Sequence, residues 1–297
     1  MAVLKLYWNL LCCVLGLSLF SAKVHAAPQK LTDSRGHEIK TSVKPPRVVS
    51  GFVGADEILV HLLKDRPKSI LALSPLSRDP RYSAIYKEAK AWPHQFGDEL
   101  ESLLKMTPDL VIVASYTRAE WLRILDVAKV PYFVLGSFAS ISDIQGNIEI
   151  MGKLVHEEAR AKALIESMDQ TILTLKNSCK LKGKRIVNYS KDGTIFGAGT
   201  SFDSMIAKIG AINAGTQQGV KGWSRVSRES LLVMNPDFIV VGADPDRKSE
   251  FLDEMKRQVG WQHLAAVREG RLLMVPSRYL ASVSHHITKA MEILCAI

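Results

Sequence analysis

Residues 101–113 read ESLLKMTPDLVIV, and residues 229–241 read ESLLVMNPDFIVV. The two stretches align without a gap at an offset of 128, with eight of thirteen positions identical. Each copy reads as a short helix, a turn and a buried strand. Leu103, Leu104 and Met106 give one apolar helical face. Proline displaces the residue before it from the helical region, so Thr107-Pro108 ends the helix. LVIVAS then follows, a short β-branched run of the kind buried on both faces of a parallel sheet. The second copy repeats the scheme with Leu231, Leu232, Met234, Asn235-Pro236 and FIVVG.

The surroundings repeat as well. Strands are predicted at 47–53, 69–74, 109–115 and 131–136, with helices at 54–64, 98–106 and 117–128. The pattern restarts after residue 180, with strands at 184–190, 237–242 and 271–276. Helices are predicted there at 201–210, 227–234, 248–257 and 284–296. Strand–helix alternation argues for parallel sheets flanked by helices, and two series argue for two α/β lobes of related build. Residues 27–140 form the expected N-terminal lobe, 141–180 a linking helical segment and 181–297 the C-terminal lobe. In the link, apolar residues keep a helical spacing through a short helix to Val155 and a long one over Glu157–Ser178. A stiff helix of about 30 Å would join the lobes. The cleft between two such lobes is the natural ligand site.

Composition narrows the class. The chain has 297 residues, 47% of them hydrophobic, enough for a full-sized core. Its formal charge of +9 is scattered rather than gathered into a stripe, and no nucleic-acid-binding motif accompanies it. Residues 1–26 read as a signal peptide: Lys5, the apolar run LLCCVLGLSLF and a small-x-small site at Val24-His25-Ala26. The run is too short to span a bilayer. The expected mature protein is exported, and loses Cys12 and Cys13. Cys179 and Cys295 then form one disulfide or remain two buried thiols.

A catalytic constellation is not visible. The chain lacks a G-x-S-x-G elbow, an H-E-x-x-H helix, a P-loop and a C-x-x-C pair. His285 and His286 admit two readings. Either one caps or packs while the other is exposed, or one faces the cleft as a ligand contact or axial donor. An exported enzyme with one of them as general base is the alternative to a binding protein, but no nucleophile or acid partner accompanies them. Tyr82, Trp92, Tyr116, Trp223 and Tyr279 fall near predicted strand ends, where aromatic rings suit a flat hydrophobic ligand. Trp223 lies in the Gly-rich stretch GVKGWSRVS, read as a loop.

Taken together, LTDSRGHEIK, PRVVSGFVGADEIL with its acidic Glu57, ELESLLKMTPDLVI and WSRVSRESLLVMNPDFIV resemble the periplasmic substrate-binding proteins of ABC importers. The match is to the helical-backbone class that binds cobalamin, ferric siderophores and haem, and WSRVSRE is most similar to the cobalamin binders. The resemblance implies two parallel-rich lobes on a rigid helix, a periplasmic location, and a monomer with no catalysis and no resident cofactor. It implies a metal chelate as ligand, a corrinoid ahead of haem or a ferric siderophore. Its partners would be a permease and its ATPase, not nucleic acid. On this pattern Glu101 and Glu229 dock on permease arginines, while Tyr82, Trp92, Tyr116, Trp223, Tyr279, His285 and His286 are the candidate ligand contacts. The chain departs from the cobalamin pattern at Leu76, Gln95 and Tyr279. His285-His286 stands where a Pro-Arg pair is frequent. Some relatives pair a cysteine at the position of Cys295 with one at the position of Ile209, so Cys179 would be a different partner.

Overall fold

The computed structural model describes residues 29–96 and 100–297. The expected signal peptide, with Cys12 and Cys13, lies outside the described residues, as does Asp98, whose residue type suits the N-cap of the helix in the first repeat. The hairpin β1 (Lys30–Thr32) and β2 (Glu38–Lys40) is antiparallel. Strands β3 (Val48–Ser50), β4 (Ile70–Ala72), β5 (Leu110–Ala114) and β6 (Tyr132–Leu135) form a parallel sheet in the order β4-β3-β5-β6. Helices α1 (Val53–Leu62), α2 (Leu100–Lys105) and α3 (Ala119–Val127) connect them.

The link is a helical hairpin, α4 (Ile141–Val155) and α5 (Glu158–Ser178). Ser140 and Asp143 close a capping box at the start of α4, and His156 ends it in the left-handed region. A Cβ on Gly152 would lie 2.5 Å from Ala161 Cβ, so glycine lets the two helices meet near the turn. Farther along, Gln145 Nε2 donates to Asp169 Oδ1, which shows that α5 runs back along α4.

The second lobe contains α6 (Ser201–Lys208), α7 (Ala214–Gln217), α8 (Arg228–Met234), α9 (Lys248–Lys256), α10 (Ala265–Arg268), α11 (Ser277–Leu280) and α12 (Ile287–Cys295). Its strands are β7 (Arg185–Asn188), β8 (Thr194–Phe196), β9 (Ile212–Asn213), β10 (Trp223–Arg225), β11 (Phe238–Gly242) and β12 (Leu272–Val275). The parallel sheet runs β12-β11-β7-β9, and β8 pairs with β10 antiparallel. Both sheets therefore share one topology. The first strand is central, the second lies on one side of it, the third on the other, and the fourth beyond the third. Trp223 belongs to β10 rather than to a loop, paired opposite Phe196.

The repeated phrase now has a structural cause. The residues before its prolines do not become extended: Thr107 and Asn235 adopt positive φ, 45° and 39°. An arginine holds each of these helix ends. Arg185 donates to the carbonyls of Met234 and Asn235 at 2.6 and 3.1 Å, and its backbone N–H donates to Asp237 Oδ2 at 2.8 Å. Arg47 does the same to Met106, Thr107 and Asp109. The M-x-P-D part of the repeat is thus the receptor for an arginine at the start of the first strand of each sheet: Arg47 immediately before β3, and Arg185 the first residue of β7. The guanidinium satisfies the orphan carbonyls of the last helical turn.

One hydrophobic core runs through both lobes. Val48 and Ile112 of the first sheet and Val240 and Leu273 of the second belong to a single buried cluster, joined through α1, α4, α5, α6 and α12. Cys179, at the end of α5, is disulfide-bonded to Cys295, the last residue of α12, with Cα atoms 4.8 Å apart. Ile209 is buried in the same core.

Candidate functional site

In an open parallel sheet, ligands bind beyond the carboxyl ends of the strands, where the strand order switches direction. Here that point lies between β3 and β5. Phe52 follows β3, Ser74 and Leu76 follow β4, Tyr116 follows β5, and Phe138 follows β6; all five line one cleft of about 1300 Å³. The second lobe contributes Thr200, Trp223 and Ser277, and the segment 281–283 crosses back to close the floor. That crossing is close: a Cβ on Gly54 would lie 2.6 Å from Val283 Cγ2.

Three large rings open onto the cleft. Tyr82 is 49% exposed, Tyr116 67% and Trp223 65%. Such exposure of aromatic surface on a concave face marks an interaction site rather than ordinary packing. Each lobe backs its ring with another: Phe52 lies 6.1 Å from Tyr116, and Phe196 lies 4.3 Å from Trp223, centroid to centroid. Arg118, at the start of α3, is an exposed cation on the rim and makes no salt bridge among the described residues.

Sequence reading passed over two acidic residues at this point as site groups: Glu57, which lines the cleft, and Asp56 next to it in α1. Asp56 and Glu57 are both buried. Asp56 accepts hydrogen bonds from the Ser74 amide at 3.0 Å and from the Ser74 hydroxyl. Glu57, which lines the cleft, accepts from the Ala84 amide at 2.7 Å and from the Ser284 hydroxyl. Burial pushes both carboxyls up to about 7, against the opposite pull of these hydrogen bonds. The signal was present in the sequence, as an acidic pair inside the apolar helical run GADEILV.

The other expected contacts stand elsewhere. His285 and His286 do not line the cleft. The chain turns at Ser284, which is tied to Glu57, and the two rings pass beneath α1 to meet His61. His285 lies 5.2 Å from His61 and 4.1 Å from His286. Burial pushes His286 down to about 4 and His285 lower still, so both are neutral near pH 7. Trp92 is turned away, its indole donating to the Pro67 carbonyl at 3.2 Å. Tyr279 packs against the shared core, with Arg278 over its ring. Among the described residues no group of three His, Cys, Asp or Glu side chains is placed to hold a metal, and no helix is long and apolar enough to cross a membrane. Glu101 and Glu229 are exposed and outside the cleft.

Two α/β lobes of one topology, meeting at an aromatic cleft beyond their strand ends, define a two-lobed ligand-binding protein. Residues 48–279 match the family model described as periplasmic binding protein, and the chain belongs to that family. It is similar to the uncharacterized ABC transporter substrate-binding lipoprotein YvrC of Bacillus subtilis, 23% identical over 236 residues, which are 71% of this chain and 73% of YvrC. Its fold is also that of the periplasmic heme-binding protein RhuT from Roseiflexus, with TM-score 0.70, 21% identity and coverage of 84% of this chain and 96% of RhuT. The molybdate periplasmic binding protein MolA of Haemophilus influenzae, solved with molybdate bound, superposes with TM-score 0.71 at 17% identity, covering 90% of each chain.

Proposed function

We propose that the protein is the exported substrate-binding component of an ABC importer, and that it captures a large metal chelate in the interlobe cleft for delivery to a permease. The observation that carries this reading is the convergence of Tyr82, Tyr116 and Trp223, from three separate segments and both lobes, on one cleft. Pockets for drug-sized ligands measure roughly 300–1,000 Å³. At about 1300 Å³ this one suits something larger and flat. Its lining contains no His, Cys or Met among the described residues, so a haem iron would find only tyrosine as an axial donor. A chelate whose metal is already saturated needs no donor from the protein. That favours a saturated chelate over haem, and the likeness of WSRVSRE to the cobalamin binders ranks a corrinoid ahead of a ferric siderophore. Glu101 and Glu229 are the docking acids in this reading. They are not needed for the clamp that explains the rest of the repeat.

The test is titration of the purified mature protein with cyanocobalamin, hemin, a ferric siderophore and molybdate, followed by tryptophan fluorescence and visible absorbance. Quenching by cyanocobalamin at the lowest concentration is the expected result. Tight hemin binding with an altered Soret band would replace the corrinoid by haem, and saturation by molybdate alone would remove the chelate reading.

A further inference from the structure

The two docking acids hold equivalent positions in the repeated helix, but their surroundings differ. One helical turn on, on the same face, α2 carries Lys105 and α8 carries Val233. Lys105 Nζ lies 2.9 Å from Glu101 Oε1. Glu229 makes no salt bridge among the described residues, and Val233 beside it is 72% exposed. Arg228 is adjacent in sequence but lies round the helix, where it lines a separate small cavity with Tyr189 and Trp261. The Glu229 carboxyl is also held below its ordinary value, by its own backbone N–H and then by the Ser227 hydroxyl.

We propose that docking is asymmetric: Glu229 is the dominant anchor, for a permease guanidinium flanked by the apolar Val233, while Lys105 masks Glu101. The inference rests on the docking role proposed above. A guanidinium approaching Glu101 meets a like charge and has to displace an existing partner. At Glu229 there is no cation to displace among the described residues, and the exposed Val233 excludes water beside the new pair, which strengthens it. The C-terminal lobe therefore offers an acid beside an apolar side chain, and the N-terminal lobe a neutralised pair.

The experiment uses the mature protein and the permease–ATPase complex whose uptake activity requires it, in lipid nanodiscs, with affinity read at low and high salt. Variants are Glu101→Ala, Glu229→Ala, Glu229→Gln, Lys105→Val and Val233→Lys, each checked for its native Tm. Glu229→Ala and Glu229→Gln should weaken binding by roughly 100-fold, the scale for truncating a desolvated charge pair, and Glu101→Ala by only a few-fold. Val233→Lys should cost about tenfold, and Lys105→Val should strengthen binding several-fold. Equal losses for Glu101→Ala and Glu229→Ala, or no gain from Lys105→Val, would overturn the asymmetry while leaving docking intact. Wild-type affinity in a Glu101→Ala/Glu229→Ala double variant would instead overturn the docking role itself.

Discussion

Replacing Glu57 by glutamine should change how stability depends on pH, and the sign can be worked out in advance. The Glu57 carboxyl is pushed from its ordinary 4.5 up to about 7, chiefly by burial. Between those values the native state holds a proton that the unfolded chain has lost. The group's contribution is fully present below pH 4.5 and disappears as pH rises through about 7. Linkage sets the slope at about 1.4 kcal/mol per pH unit for one proton, so the whole interval is worth about 3 kcal/mol. Glutamine does not titrate. Its amide oxygen can accept from the Ala84 amide, and its NH₂ can donate to the Ser284 oxygen.

Two half-buried histidines oppose this effect. His286 is pushed down to about 4 and His285 lower still. Their contributions are complete above pH 6.5 and are lost as pH falls towards their native values. Asp56, also raised to about 7, acts with Glu57. From about pH 4.5 to 6.5 the two acids and the two histidines cancel, and these four groups leave the wild-type profile flat. Glu57→Gln should tilt it so that stability rises with pH, and His286→Gln should tilt it the other way. Urea midpoints of the ligand-free protein at half-unit steps from pH 4.5 to 8 measure both slopes. Parallel profiles for wild type and Glu57→Gln would refute the assignment of a buried, proton-holding carboxyl at position 57.

Three further outcomes are expected. Trp223→Ala should weaken ligand binding by about 1–3 kcal/mol, the scale of one aromatic contact, and abolish most of the fluorescence quenching; unchanged affinity by calorimetry would make Trp223 structural. Cys179→Ser with Cys295→Ser should lower stability by about 2–4 kcal/mol, because the bond closes a loop with a sequence separation of 116 residues, and a Tm unaffected by reduction would contradict this. Arg185→Met should cost about 1.5–3 kcal/mol in urea unfolding by leaving the carbonyls of Met234 and Asn235 without their charged donor, and Tyr189 fluorescence or near-UV dichroism would show whether the lobe otherwise keeps its packing.

The regular part of the fold was legible because it rests on local pattern. β-branched runs such as LVIVA and FIVVG cannot be satisfied except as buried parallel strands, and each was placed within a residue or two. The two helices of the link were legible for the same reason, but that they fold back on each other as a hairpin was not. The site was only half legible. Tyr116 sits directly beyond β5, Tyr82 farther along the segment after β4, and Trp223 on the β8–β10 ribbon, all three on the cleft. Asp56 and Glu57 escaped because their partners, Ser74, Ala84 and Ser284, lie up to 227 residues away. His285 and His286 were drawn towards the cleft by sequence. The Ser284–Glu57 bond, which fixes where the chain turns, has no local signature. The arginine clamp escaped too, because Arg47 and Arg185 stand at different offsets from the two copies of the repeat.

The same long-range bonds bear on how a ligand would leave. The lobes share a core and are stitched beside the cleft by Ser284 to Glu57 and by Arg278, whose guanidinium donates to the Pro80 carbonyl at 3.1 Å across 198 residues. Changing the interlobe angle would disturb that shared core, at roughly 1.5–3 kcal/mol for each large side chain exposed. A ligand entering such a preformed cleft loses little affinity to closure. The same rigidity means that thermal opening alone releases it slowly. Release on a permease then depends on free energy supplied through contacts on the two lobes. If Glu229 anchors first and Lys105 must be displaced before Glu101 engages, the second contact forms only as the N-terminal lobe is drawn to the membrane. That motion would strain the Arg278 and Ser284 stitches beside Tyr82 and Glu57, which line the cleft.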